Sequence, residues 1–242
     1  MATATAIAKT TKNGHLKEKV TKEDGTEFSE AERKAGETVK RAVTILAPNF
    51  KTVEIRIVGT APLVMNAFPQ KAREKIRKTQ EAGGLAKKDR AREAKDFEAC
   101  YEASMHRGPN GEYGFPASAF RKAMISACRV ANYAMTRAKL AVFVEHDFID
   151  VVEGVGLVRV AGEPEMVVHS VRNDSGVVDL RARAMFKEWA AAVRVTFDGD
   201  MFSEQDVANL MMRVGMQVGI GEGRHDSKDS AGMGWGTFSV LV

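Results

Sequence analysis

Five histidines are the first residues to test for chemistry: His15, His106, His146, His169 and His225. None lies in a Gly-x-Ser-x-Gly or His-Glu-x-x-His context, so neither a nucleophile elbow nor a zinc helix is present. His146 and Asp147 are sequence neighbours, as are His225 and Asp226. Adjacent side chains in a strand point to opposite faces and seldom act together. Asp198 and Asp200 flank a glycine and could ligate a metal, yet Asp-Gly-Asp is ordinary turn chemistry. His225 could serve as a general base in metal-independent RNA cleavage, but a base needs a placed partner and the sequence supplies none. Cys100 and Cys128 form no Cys-x-x-Cys pair and read as buried thiols in a reducing compartment. The residue types point to binding rather than catalysis, with no cofactor and no metal implied.

The run Gly219-Ile220-Gly221-Glu222-Gly223-Arg224-His225 invites a nucleotide-binding reading. Its order is wrong for one. A dinucleotide fingerprint follows a strand and opens a helix, whose N-terminus receives the pyrophosphate. Here the glycines follow a helix and lead into a strand, and no Gly-x-x-x-x-Gly-Lys-Ser/Thr occurs. Two readings remain. One is a loop carrying Arg224, His225 and Lys228 that brings backbone N–H groups to a phosphate chain. The other is a helix C-cap followed by a solvated turn.

Cations supply the remaining candidates. Residues 69–95 carry Lys71, Arg73, Lys75, Arg77, Lys78, Lys87, Lys88, Arg90, Arg92 and Lys95 against only Glu74, Glu81, Asp89 and Glu93. Gly83-Gly84 divides the run into two helical pieces, either a solvated face or a phosphate contact zone. Arg121 and Lys122 open a helix that Ser118 would cap, a favourable seat for a phosphate, and Arg129 lies off its buried face. Arg181 and Arg183 would share one face of a strand, with Arg172 nearby, as a short basic row or simply a hydrated outer face. Met65, Asn66 and Phe68 follow the first confident strand. Trp235 is the principal stacking candidate, with Tyr113 and Phe68 behind it; each is also a candidate core residue.

The elements that must position these groups alternate strand and helix. Val53–Val58 alternates strictly, and Gly59-Thr60-Ala61-Pro62 ends it before an apolar loop or short extension over 63–68. A helix over 118–129 buries Phe120, Met124, Ala127 and Cys128. Strands follow over 142–152, 154–160, 166–171 and 177–185, the last two joined by an Asn173-Asp174-Ser175-Gly176 tip. A strand over 192–197, a helix over 203–218 with Ser203 and Asp206 at its start, and a strand over 235–241 complete the chain. The pattern predicts an α+β fold with a ferredoxin-like (RRM-like) core and antiparallel sheet, a basic helical insertion at 69–106 and a β-hairpin insertion at 153–185. Residues 1–42 are rich in Ala, Thr, Lys and Glu and read as a flexible N-terminal arm before a single domain at 43–242. The chain has 242 residues, a formal net charge of +4 and a pI near 9.0, which permits a nucleic-acid partner without demanding one. No apolar run approaches a membrane span and no signal core opens the chain, which leads to the expectation of a cytoplasmic protein.

Three segments together resemble the RAMP superfamily, the repeat-associated proteins of CRISPR systems that include the backbone subunits coating CRISPR RNA. Gly114-Phe115-Pro116-Ala117-Ser118-Ala119-Phe120-Arg121-Lys122-Ala123-Met124 resembles its Pro-Gly-Ser-Ser-φ-Lys-Gly-φ-φ-Arg signature, in which φ is apolar. Ala117 and Ala123 stand where that signature has glycines, and Lys122 aligns with its lysine. Gly219-Ile220-Gly221 through Gly232-Met233-Gly234-Trp235-Gly236-Thr237-Phe238 is similar to the superfamily's glycine-rich loop and closing strand. Gly59-Thr60-Ala61-Pro62-Leu63-Val64-Met65 is similar to its turn after the first strand. The pattern is also similar to phage and prophage proteins, which would place the chain in a bacterial host cytoplasm. The resemblance implies a non-catalytic protein that binds single-stranded RNA or DNA, contacts mainly the phosphate backbone and polymerises head to tail along the strand. A phage structural or assembly protein on the same fold is the alternative, and an endoribonuclease using His225 is a third reading.

Overall fold

The computed structural model describes residues 46–81, 83, 94–172, 176–227 and 231–241, and the backbone of residues 5–10 and 16–21. The chain divides into two units, Met1–Ala47 and Pro48–Val242. In the first, β1 (Thr5–Thr10) and β2 (Leu16–Thr21) pair antiparallel, with Thr5 opposite Thr21 and Thr10 opposite Leu16. Composition led to the expectation of a flexible arm over residues 1–42. A two-stranded ladder needs only paired backbone groups, and one forms here.

The second unit is built on an antiparallel sheet. Its strands run in the order β12 (Phe238–Val240), β3 (Phe50–Gly59), β11 (Ala190–Asp198), β8 (Gly156–Ala161) and β5 (Gly114–Pro116). On its β8 side β11 also pairs β6 (Val142–Val144), while β7 (Phe148–Ile149) pairs β8. Strict alternation decides which face is buried. Ile55 and Ile57 of β3 and Ala191, Val193, Val195 and Phe197 of β11 point inward. The opposite face is polar: the Thr52 and Thr196 hydroxyls lie 2.8 Å apart, and Arg194 pairs with Glu145 at 3.1 Å and Asp147 at 2.8 Å.

Two helices share the core with the inner face of this sheet. In α3 (Ala117–Ala127) the residues Phe120, Ala123, Met124 and Ala127 are buried at helical spacing, and α5 (Glu204–Arg213) buries Val207, Leu210 and Met211. The expected start of α5 is present as a capping box. Ser203 Oγ accepts from Asp206 N at 3.1 Å, and the Asp206 carboxylate accepts from Ser203 N at 2.9 Å. The expected cap of α3 is not. Ser118 lies inside the helix, which starts at Ala117 with Pro116 at the N-cap and no side-chain capping bond. Proline has no side-chain acceptor for the first N–H groups of the helix, and its fixed φ sets the turn from β5 into it. Beyond α5, Val214–Val218 widens into a π-helical turn closed by Gly219 N donating to Val214 O at 2.8 Å.

A second antiparallel sheet has the order β4 (Leu63–Met65), β10 (Val178–Phe186), β9 (Pro164–Arg172). It accounts for two differences from the sequence reading. Leu63, Val64 and Met65, expected in an apolar loop or a short extension, are fully buried as a short strand, because β4 pairs with Ala184–Phe186. The hairpin is β9–β10 alone, since β8 belongs to the main sheet, and residues 173–175 at its tip lie outside the described residues. The expected long strand over 142–152 is interrupted, leaving β6, β7 and a turn at Asp150. The insertion holds α1 (Gln70–Glu81) and α2 (Phe97–Glu102), one on each side of Gly83-Gly84. A short helix, α4 (Met135–Ala141), leads into β6. Among the described residues, no helix is long and apolar enough to cross a membrane.

Candidate functional site

The glycine-rich segment is shaped by its backbone. Gly219, Gly221 and Gly223 all have positive φ (71°, 80° and 75°), as do Gly232, Gly234 and Gly236 on the return. At Gly236 this is a steric requirement as well, because a Cβ would lie 1.7 Å from the Ile220 carbonyl oxygen. The two arms hold each other: Ile220 N donates to Gly236 O at 3.0 Å and Met233 N to Gly223 O at 2.7 Å. Glu222 N donates to Val64 O at 3.0 Å, and Gly236 N to Pro62 O at 2.7 Å. The segment is therefore docked on the turn that follows β3, and several of its N–H groups are already engaged.

Between this segment and α3 lies a cleft of about 840 Å3. One wall is Ala119, Lys122, Ala123 and Ser126 of α3 with Arg129, and Met135 and Lys139 of α4 continue it. The other is Val218 to Arg224 with Asp226 and Ser227, while Asn66, His106, Phe115 and Pro116 complete the lining. Four sequence-predicted residues from separate stretches, Asn66, Lys122, Arg129 and Arg224, thus meet in one place. A smaller hollow of about 370 Å3 shares Ser126, Arg129, Val218 and Asp226 with it and adds His225, which is exposed.

The cations of the cleft differ in their freedom. Lys122 and Lys139 are exposed, and their ammonium groups have no partner among the described residues. Arg129 is held by Asp226 at 2.5 Å and by the Ser126 hydroxyl at 2.6 Å, and Ser126 also donates to Asp226. The Ser126 hydroxyl, then Arg129 and Arg224, keep the Asp226 carboxyl below its usual range. Arg224 reaches back to Gly221 O at 3.1 Å. Sequence reasoning missed Lys139, because a seven-residue helix gives little periodic signal and its place beside Lys122 is a tertiary fact.

Other expected contacts are occupied elsewhere. Arg121 does not face the cleft as a phosphate ligand would. Its guanidinium donates to Val142 O at 2.8 Å and Lys139 O at 2.5 Å and lies over the Phe143 ring, tying the end of α4 to α3. Met65 is core, so Asn66 alone of that pair is exposed. Arg183 pairs with Glu222 at 2.8 Å, and Arg181 pairs with Asp179 at 3.7 Å, so the expected basic row is neutralised by acids. His169 Nε2 lies 3.4 Å from Glu222, and the Trp235 ring meets His169 edge-on with centroids 5.5 Å apart. Gly223 sits against that indole, where a Cβ would come within 2.6 Å, so Trp235 packs between loop and hairpin and is only partly open to stacking.

In the insertion, Arg73 pairs with Glu153 at 3.1 Å and lies over Phe68, while Lys71 is exposed on α1 and engaged with neighbours. Lys87, Lys88, Arg90 and Arg92, like Lys228 of the loop, lie outside the described residues. Asp198 accepts from Asp200 N at 3.0 Å as turn chemistry requires. Among the described residues, no group of three or more His, Cys, Asp and Glu side chains could hold a metal ion.

One further feature reaches the cleft. His106 Nδ1 lies 2.9 Å from Asp150 Oδ2, both residues being buried, and the same carboxylate accepts from Val152 N at 2.7 Å and Glu153 N at 2.6 Å through Oδ1. The separation of 44 positions hides this pair from sequence inspection. No protein-family model matches the chain, and no curated protein matches it in sequence.

Proposed function

We propose that the protein is a non-catalytic, sequence-tolerant binder of single-stranded nucleic acid that polymerises along the strand. The observation that carries this reading is the cleft lined by Lys122 and Lys139, whose ammonium groups have no partner among the described residues, opposite the glycine-rich segment. Two exposed ammonium groups and an adjoining pair of charged arginines attract a phosphate chain, and a cleft of about 840 Å3 suits a nucleotide-sized group rather than a duplex. The cleft walls offer few aromatic faces, which favours backbone contacts over base stacking. The strand order β12-β3-β11-β8, with α3 after β3 and α5 after β11, supports a ferredoxin-like core. The RAMP resemblance points the same way, since its signature covers Lys122 and its glycine-rich loop forms the opposite wall.

Polymerisation is supported by the β9–β10 hairpin, which exposes Met166, Val168, Val178 and Leu180 at about half their area each. A neighbouring copy would cover them. The non-catalytic reading draws on His225. Its sequence neighbour Asp226 is engaged by Ser126 and Arg129, which leaves the imidazole without an orienting carboxylate there.

The test is fluorescence anisotropy with labelled single-stranded RNA, single-stranded DNA and duplex DNA at two salt concentrations, with sedimentation velocity on oligonucleotides of increasing length. Salt-dependent single-strand binding with protein mass rising with strand length is expected. Equal or tighter binding to duplex, or no binding to any of the three, refutes the reading; oligomers formed without nucleic acid would then favour an assembly protein.

A further inference from the structure

The cleft contains a group that backbone binding leaves unused. His106 is only 5% exposed, yet it lines the cleft. Its Nδ1 is turned to Asp150, which leaves Nε2 as the ring nitrogen that this carboxylate does not engage. Nε2 has no partner among the described residues, and it is not among the buried polar atoms cut off from solvent. The ring cannot turn freely. Asp150 fixes one edge, the Phe115 ring stands perpendicular to it with centroids 6.5 Å apart, and the Asp150 carboxylate is itself fixed by two backbone N–H groups.

Such a pair fixes a tautomer. A carboxylate oxygen only accepts, so the Nδ1–H donates to Asp150, and in that tautomer Nε2 is the acceptor. An acceptor without a protein partner among the described residues, held rigidly by a residue that lines a cleft with Lys122 and Lys139, suits a hydroxyl or N–H donor from whatever occupies it. On a phosphate–sugar chain the donor that recurs at every residue is the ribose 2′-hydroxyl, the group that separates RNA from DNA. Resting on the single-strand reading above, we propose that His106, positioned by Asp150, accepts a hydrogen bond from a ribose 2′-hydroxyl and makes the cleft selective for RNA over DNA.

The cleanest test leaves the protein untouched. Wild-type chain is titrated at pH 8 with short single strands of one sequence, made as RNA, 2′-fluoro RNA and DNA. The fluoro sugar keeps a ribose-like shape but has no hydroxyl to donate. Losing the donor opposite this acceptor should weaken binding about fivefold to tenfold per cleft. RNA is therefore expected to bind more tightly than both other strands. Equal affinity for RNA and 2′-fluoro RNA overturns the inference, while the single-strand reading stands as long as all three bind with salt dependence. No binding by any strand is the separate failure of that reading.

A variant supplies the protein side. In His106→Asn the amide nitrogen can replace Nδ1 and keep the bond to Asp150, but nothing replaces Nε2. Expected is loss of the RNA preference with DNA affinity unchanged; a variant that melts normally and keeps the wild-type RNA-to-DNA ratio contradicts the assignment.

Discussion

Lys122 and Lys139 allow a quantitative test of the cleft. Both are exposed on its α3–α4 wall without partners among the described residues, so replacing them by alanine removes charge and little packing. Each phosphate neutralised on a single strand adds about 0.7 to the steepness with which log affinity falls against log salt. Lys122→Ala/Lys139→Ala should therefore flatten that slope by about 1.4, and the same relation extrapolated to 0.1 M salt gives a loss of about 25-fold. Anisotropy titrations of a labelled single strand at four or five salt concentrations measure both quantities together. Lys187→Ala is the control, since its ammonium lies 2.6 Å from Glu165 and lines no part of the cleft. A double variant that folds normally and keeps the wild-type slope would refute the assignment of phosphates to this wall, whatever its affinity.

Three further outcomes follow from the same geometry. Gly236→Ala would force a Cβ to within 1.7 Å of the Ile220 oxygen at a positive φ of 67°, so urea melts should show a loss of at least about 2 kcal/mol, and a neutral result would contradict the loop geometry. Ser203→Ala removes one half of a capping box and should cost about 1 kcal/mol in the same assay, with binding unchanged. The Asp226 carboxyl is held below the ordinary 3.8 of aspartate, first by Ser126 and then by Arg129. Its folded pKa is depressed, so the stabilisation it contributes is complete above the ordinary value and disappears as pH falls through the lower folded one. Thermal melts should accordingly separate wild type from Asp226→Asn most at about pH 6, with the gap narrowing as pH falls below the ordinary aspartate range; curves a constant distance apart would contradict the depressed carboxyl.

What could be read from the chain was what local chemistry determines. The Ser203–Asp206 cap, the alternation in β3 and β11 and the glycine run are signals carried by neighbouring residues, and each has its structural counterpart. Errors arose where distant segments compete for the same group. Leu63–Met65 reads as a loop or short extension until β10 provides a partner, and β8 reads as hairpin until β11 takes its edge. Arg121 and Lys122 are equivalent in sequence, yet the helix turn sends Arg121 to the α4 carbonyls and leaves Lys122 in the cleft. The same limit hid Lys139 and the His106–Asp150 pair, whose meaning depends on the closing of a fold around them.

The most direct measurement is photo-crosslinking of the intact protein to a single strand carrying 4-thiouridine, followed by mass-spectrometric mapping. Cross-links concentrated in peptides covering residues 119–139 and 219–227 are predicted, with Asn66 beside them and few on the polar outer face of β3 and β11. Cross-links confined to that outer face, or spread evenly over the surface, would contradict a strand seated in the cleft.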